Sequence, residues 1–162
     1  MDHTNLTYQD VESLTQDILR QITKDSWQPD YVVGLTRGGL LPAVLVSQYL
    51  EVPMETLKVS LRDSNEKEHN FWMAEDAAAG KNILIVDDIN DTGATLEWIK
   101  QDWQDSVASA DWNTIWNDNV RFAVLLNNEP SKFKQIDYSA LEINKLEDPS
   151  WVNFPYENWW KK

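Results

Sequence analysis

The stretch Ile83-Leu84-Ile85-Val86-Asp87-Asp88-Ile89-Asn90-Asp91-Thr92-Gly93-Ala94-Thr95-Leu96 constrains this chain more than any other. Four consecutive apolar residues predict a strand covered on both faces, as in a parallel sheet. Two adjacent carboxylates follow where that strand is expected to end. A third acid, Asp91, opens a short loop of hydroxyls and glycine, and a helical pattern begins after it. A strand-loop-helix unit of this kind aims loop N–H groups and a helix N-terminus at one point, a natural seat for a phosphate. Acids beside such a seat repel the ligand unless they hold something else, such as sugar hydroxyls or a divalent cation. The ligand implied carries a phosphate at one end and a polyol or metal beside it.

A second segment, Val32-Val33-Gly34-Leu35-Thr36-Arg37-Gly38-Gly39-Leu40, reads as a strand, an Arg-Gly-Gly turn and a helix start. A third, Trp151-Val152-Asn153-Phe154-Pro155-Tyr156-Glu157, lies near the C-terminal end of the sequence. Taken in order, the three resemble the type I phosphoribosyltransferases. The acidic segment resembles that family's signature for phosphoribosyl pyrophosphate (PRPP), and the Arg-Gly-Gly turn resembles its pyrophosphate loop. The tail is similar to that of the small xanthine-guanine members, in which an aromatic stacks on the purine.

The resemblance implies residue roles. Asp87 and Asp88 would hold the ribose 2- and 3-hydroxyls, directly or through Mg²⁺-bound water, the metal being expected because it prefers oxygen ligands and bridges phosphates. Asp91 would be the general base for the purine N7 proton. Thr92, Gly93, Ala94 and Thr95 would grip the 5-phosphate. Arg37 and Gly38 would meet the pyrophosphate, with Gly38 and Gly39 turning N–H groups inward. Trp151 would stack on the base, and the backbone of Val152 would touch its edge. Each has a plainer alternative: the acids as turn caps, the threonines as helix caps, Arg37 as a surface arginine in a glycine turn. One departure stands out. The 6-oxopurine members end the next strand with a lysine that donates to the purine O6, whereas here Asn128 falls at that place, and Lys132 and Lys134 lie beyond Pro130. An amide both donates and accepts, so the base is less determined than with a cation.

The rest of the chain supports an α/β reading. Thr7 and Asp10 predict a helix N-terminus, and Val11, Leu14, Ile18 and Ile22 recur at helical spacing. Strands are expected at 31–35, 54–61, 120–126 and 140–143, with a helix that holds Pro42 in its first turn and runs to about Leu50, and another whose face carries Leu96, Ile99, Trp103 and Val107. Residues 62–79 read as a long polar loop or flap with an apolar island at Phe71-Trp72-Met73. The expected fold is a single domain over 1–162, a doubly wound, mainly parallel sheet flanked by helices with a small flap. Trp27, Trp98, Trp103, Trp112 and Trp116 are assigned to packing, Trp159 and Trp160 to the tail or a subunit contact, and His3 and His69 to no metal role.

The formal charge of −13, from 27 acidic and 14 basic residues, argues against a nucleic-acid surface. It does not exclude an anionic substrate, because distant charges are screened beyond a Debye length of ~8 Å. No apolar run approaches the ~20 residues that span a bilayer, and there is no cysteine for a disulfide or thiolate. The expectation is a cytoplasmic homodimer or homotetramer that transfers phosphoribosyl from PRPP to guanine, xanthine or hypoxanthine in purine salvage. The alternative is a noncatalytic PRPP or nucleotide sensor on the same fold.

Overall fold

The structure, a computed structural model, describes residues 3–59 and 70–161. β1 (His3–Asn5) leads into α1 (Tyr8–Lys24), whose start is fixed by a full capping box. Thr7 Oγ1 accepts from Asp10 N at 3.0 Å, and Thr7 N donates to Asp10 Oδ2 at 2.8 Å. β2 (Tyr31–Thr36), α2 (Leu40–Leu50) and β3 (Met54–Lys58) follow, then α3 (Phe71–Ala78), β4 (Ile83–Asn90) and α4 (Ala94–Ser106). A short α5 (Trp112–Ile115), β5 (Val120–Asn128), β6 (Tyr138–Ile143), β7 (Trp151–Asn153) and a 3-10 turn at Trp159–Lys161 complete the chain.

Five strands form one parallel sheet in the order β3-β2-β4-β5-β6. Alternate residues of its strands bury on opposite faces. Val33, Leu35, Ile83 and Ile85 pack with Met73, Ile99, Trp103, Trp112 and Trp116 under α3, α4 and α5. Val32, Leu84 and Val86 pack with Val11, Ile18, Ile22, Ala43 and Val46 under α1 and α2. Burial on both faces accounts for the unbroken apolar runs of these strands. The doubly wound parallel fold is thus as expected. A separate two-stranded parallel sheet joins β1 to β7, setting His3 against Trp151, Thr4 against Val152 and Asn5 against Asn153.

Three boundaries differ from the sequence expectation. The strand placed at 54–61 ends at Lys58, with Val59 in an isolated bridge. The loop expected over 62–79 contains α3: Asn70 accepts from Met73 N at 3.0 Å as its N-cap, and Met73, Ala74 and Ala77 are buried. Residues 60–69 of that flap, His69 among them, lie outside the described residues. The signature strand also does not stop before its acids. β4 runs on to Asn90, so Asp87 and Asp88 are strand residues. Trp103, Trp112 and Trp116 are buried as assigned, while Trp159 and Trp160 are each 64% exposed.

Candidate active site

The chain leaves β2 for one edge of the sheet and returns at β4 on the other side of β2, so the strand order reverses between them. Crevices at the carboxyl ends of strands beside such a reversal are where open α/β sheets bind ligands. β2 pairs with β4 only as far as Val86, whereas β5 accompanies β4 to Asn90. From Asp87 onward one edge of β4 is therefore vacated by β2, and the Arg37-Gly38-Gly39 turn lies there.

Close approach explains both glycines of that turn. A Cβ on Gly38 would fall 2.1 Å from Asp88 Oδ2, and one on Gly39 would fall 2.4 Å from the Val86 carbonyl. Gly39 N–H does not turn inward as expected. It donates to Leu35 O at 2.8 Å, and Leu40 N donates to Arg37 O at 3.1 Å. Arg37 itself is exposed. The glycines thus let the turn lie flat against β4, rather than offering every amide to a ligand.

Asp87 and Asp88 are half-buried neighbours, with Asp88 N donating to Asp87 Oδ1 at 2.9 Å. Burial pushes both carboxyls up; the charge on Asp88 adds to the rise at Asp87, while hydrogen bonds from Asp87 and Tyr156 oppose it at Asp88. Two crowded carboxylates at a strand end favour a donor or cation between them. Among the described residues no three acidic or histidine side chains cluster as an all-protein metal cage. A pair of carboxylates does suit Mg²⁺ in its usual mode, shared with substrate oxygens and water.

Beyond the pair, Asn90 is buried and staples the next loop in place. It donates to Asn127 Oδ1 at 2.9 Å and to Phe133 O at 3.0 Å, and accepts from Ser131 Oγ at 2.9 Å. Gly93, at φ +92°, sits so close to that loop that a Cβ would lie 2.5 Å from Phe133 N. Thr92 O accepts from Lys132 N at 3.0 Å, and Thr92 Oγ1 accepts from Ala94 N at 3.2 Å, while the cap position of α4 is Gly93, with no side chain to bond. Thr92 and Ala94 are exposed and Thr95 is half-buried at the start of α4.

The third acid meets groups from two further segments, and one of them reaches on to a third. Asp91 Oδ2 lies 3.0 Å from Lys145 Nζ, and the same ammonium stands 5.3 Å from the centre of the Trp151 ring. Asn128, at the end of β5, is committed on both sides: Nδ2 donates to Asp91 O at 2.9 Å, and Oδ1 accepts from Lys145 N at 2.9 Å. Nδ2 also lies 3.5 Å from Asp91 Oδ1, so its second proton, as a donor toward a base, competes only with that long contact. Val152 is partly buried against the α1 face of the core, and its backbone pairs with Thr4 of β1. Sequence reasoning missed Lys145, a lone cation in the polar run Asn144–Ser150, and Tyr156. The Tyr156 hydroxyl lies 2.9 Å from Gly38 O and 3.0 Å from Asp88 Oδ2, tying the tail to the switch-point loop.

A parallel sheet with a glycine turn, paired acids and a hydroxyl-rich helix start at its switch point defines the class of fold that seats sugar phosphates. The chain belongs to the phosphoribosyl transferase domain family, whose profile matches residues 2–158. It is 30% identical over 131 residues to a xanthine-guanine phosphoribosyltransferase of Cereibacter sphaeroides, covering 78% of this chain and 68% of that protein. A xanthine-guanine phosphoribosyltransferase of Idiomarina loihiensis is 23% identical over 157 residues, covering 94% and 85% of the two chains. Among solved structures, a Neisseria gonorrhoeae protein with bound ppGpp superposes with a TM-score of 0.73 at 22% identity, covering 96% of this chain and 89% of that one.

Proposed function

We propose that this chain is a purine phosphoribosyltransferase that moves the 5-phosphoribosyl group of PRPP to a 6-oxopurine, releasing pyrophosphate. The observation that carries the reading is the gathering of two half-sites at the carboxyl end of the sheet. Gly38 touches Asp88 at the phosphate side. Asp91, Asn128, Lys145 and Trp151 meet at the base side. The xanthine-guanine enzymes to which the chain is similar support the choice of base class.

In the reaction a ring nitrogen of the base attacks ribose C1 while the bond from C1 to the pyrophosphate oxygen breaks. The base proton passes to the carboxylate of Asp91. Arg37 faces the charge growing on the leaving group, a contribution worth on the order of 10²-fold in rate for preorganised donors. Thr92 and Thr95, with the amides at the start of α4, hold the 5-phosphate. Asp87 and Asp88 orient the ribose hydroxyls, and Mg²⁺ held there would neutralise charge on the pyrophosphate. Trp151 supplies a stacking face, and Lys145 offers an ammonium to a carbonyl on the base. Homodimers or homotetramers are part of the same proposal, with the exposed Trp159 and Trp160 available for contact.

Steady-state assays with PRPP, Mg²⁺ and each of guanine, xanthine, hypoxanthine and adenine test the reading. Asp91→Asn should lower kcat at least 100-fold while PRPP affinity changes less than about threefold. Equal losses in both would remove Asp91 from proton transfer. A second reading, a noncatalytic nucleotide sensor, is favoured by the ammonium already resting on Asp91 and by the ppGpp held by the Neisseria gonorrhoeae protein. Nucleotide binding with no turnover of any base would select it.

A further inference from the structure

Tyr156 belongs to no expected role, yet it bridges two parts of the site. Its ring is held independently of its hydroxyl. Residues 154–157 close a turn in which Glu157 N donates to Phe154 O at 3.0 Å and Phe154 N donates to Glu157 Oε1 at 2.9 Å. The ring lies parallel to Phe154, 5.6 Å between centres and 8° apart, and Phe154 is 2% exposed. The hydroxyl therefore arrives between Gly38 O and Asp88 Oδ2 on a rigid arm.

A phenol has one proton and faces two acceptors here. A phenol keeps its proton at neutral pH, so the hydroxyl is a donor here. We propose that Tyr156 is a positioning residue that couples the acid pair to the Arg-Gly-Gly turn, sharing its proton between Asp88 and the Gly38 carbonyl. The idea rests on the phosphoribosyl reading above. While Asp88 is an unliganded carboxylate it draws the proton, as charged acceptors do. A ligand that donates to Asp88 releases the hydroxyl to Gly38 O. The peptide that follows is already anchored by the bond from Gly39 N to Leu35 O. Fixing its carbonyl as well orders the turn for pyrophosphate. No side chain intervenes, because Gly38 and Asp88 are in direct contact. Occupying the ribose side thus tightens the pyrophosphate side, and linkage requires the converse.

Calorimetric titration of inorganic pyrophosphate, with and without ribose 5-phosphate in magnesium buffer, measures this coupling. In the unaltered protein ribose 5-phosphate should tighten pyrophosphate about fivefold. Tyr156→Phe keeps the stack on Phe154 and should bring that factor to about one, with each ligand alone bound within about threefold of normal. Tyr156→Leu removes the ring too. If Tyr156 only packs, Phe behaves as the parent and Leu alone is defective, which overturns the inference. An undiminished coupling in Tyr156→Phe, or no coupling in the parent, overturns it as well while leaving the functional reading in place. Failure of the parent to bind either ligand removes that reading, and this inference with it.

Discussion

Lys145 stands over Trp151 and against Asp91. In the proposed reading a purine stacked on Trp151 would displace this ammonium from the ring face toward the ring edge. There a cation prefers a carbonyl to an amine. A hydrogen bond from a charged donor is worth about 1.5–3 kcal/mol, which sets the expected selectivity. Lys145→Met should raise KM for hypoxanthine and guanine at least about tenfold while leaving KM for adenine within about twofold. A uniform rise across all bases would make Lys145 a partner of Asp91 alone. Neither this residue's role nor that of Tyr156 was legible in the sequence: an isolated lysine in a polar run has no spacing to mark it, and one tyrosine among the aromatics of the tail does not show where its hydroxyl lands. Asp87, Asp88 and Asp91 were legible, because their order and the glycine after them fit one strand-loop-helix geometry. What spacing could not supply was the commitment of the Asn128 amide to Asp91 and Lys145.

Among the elements, β4 and the loop after it govern the site. Reading the strand as ending at the first charge assumed that a buried strand must stay apolar. The ladder to β5 continues to Asn90 because the acids sit where β2 has already turned away. The two-turn helix α3 was missed for a different reason: eight residues are too few to establish a helical period, although Asn70 is an N-cap signal. The loop from Asp91 to Gly93 is held from below by Asn90, Ser131 and Phe133. Gly93→Ala would bring a Cβ within 2.5 Å of a backbone nitrogen at φ +92°. Denaturant unfolding should show a loss of about 2–3 kcal/mol, the sum of left-handed strain and displacement of that loop. A loss below 0.5 kcal/mol would mean that the loop moves freely.

Among the described residues two apolar layers sandwich the sheet, and the sequence carries a formal charge of −13. Among the described residues no helix is long and apolar enough to cross a membrane. One acid away from the site links the core to pH. Asp137 accepts from Phe122 N at 2.8 Å, and burial pushes its carboxyl up to about 6 against an ordinary 3.8, with the Phe122 amide and Arg121 pulling the other way. Between about pH 4 and pH 6 the folded chain keeps a proton that the unfolded chain has lost, so this site's contribution to stability falls as pH rises through that window. Asp137→Asn retains an acceptor for Phe122 N without the charge. Thermal melts should place its Tm about 3 °C above the parent at pH 8 and level with it at pH 4. A gap that persists at pH 4 would assign the effect to packing.

The pairing of β1 with β7 sets His3 beside Trp151. If Trp151 stacks on the base as proposed, this strand pair fixes the stacking residue from the opposite end of the chain. Michaelis constants for the base, measured before and after an affinity handle at that end is removed, should then differ more than those for PRPP.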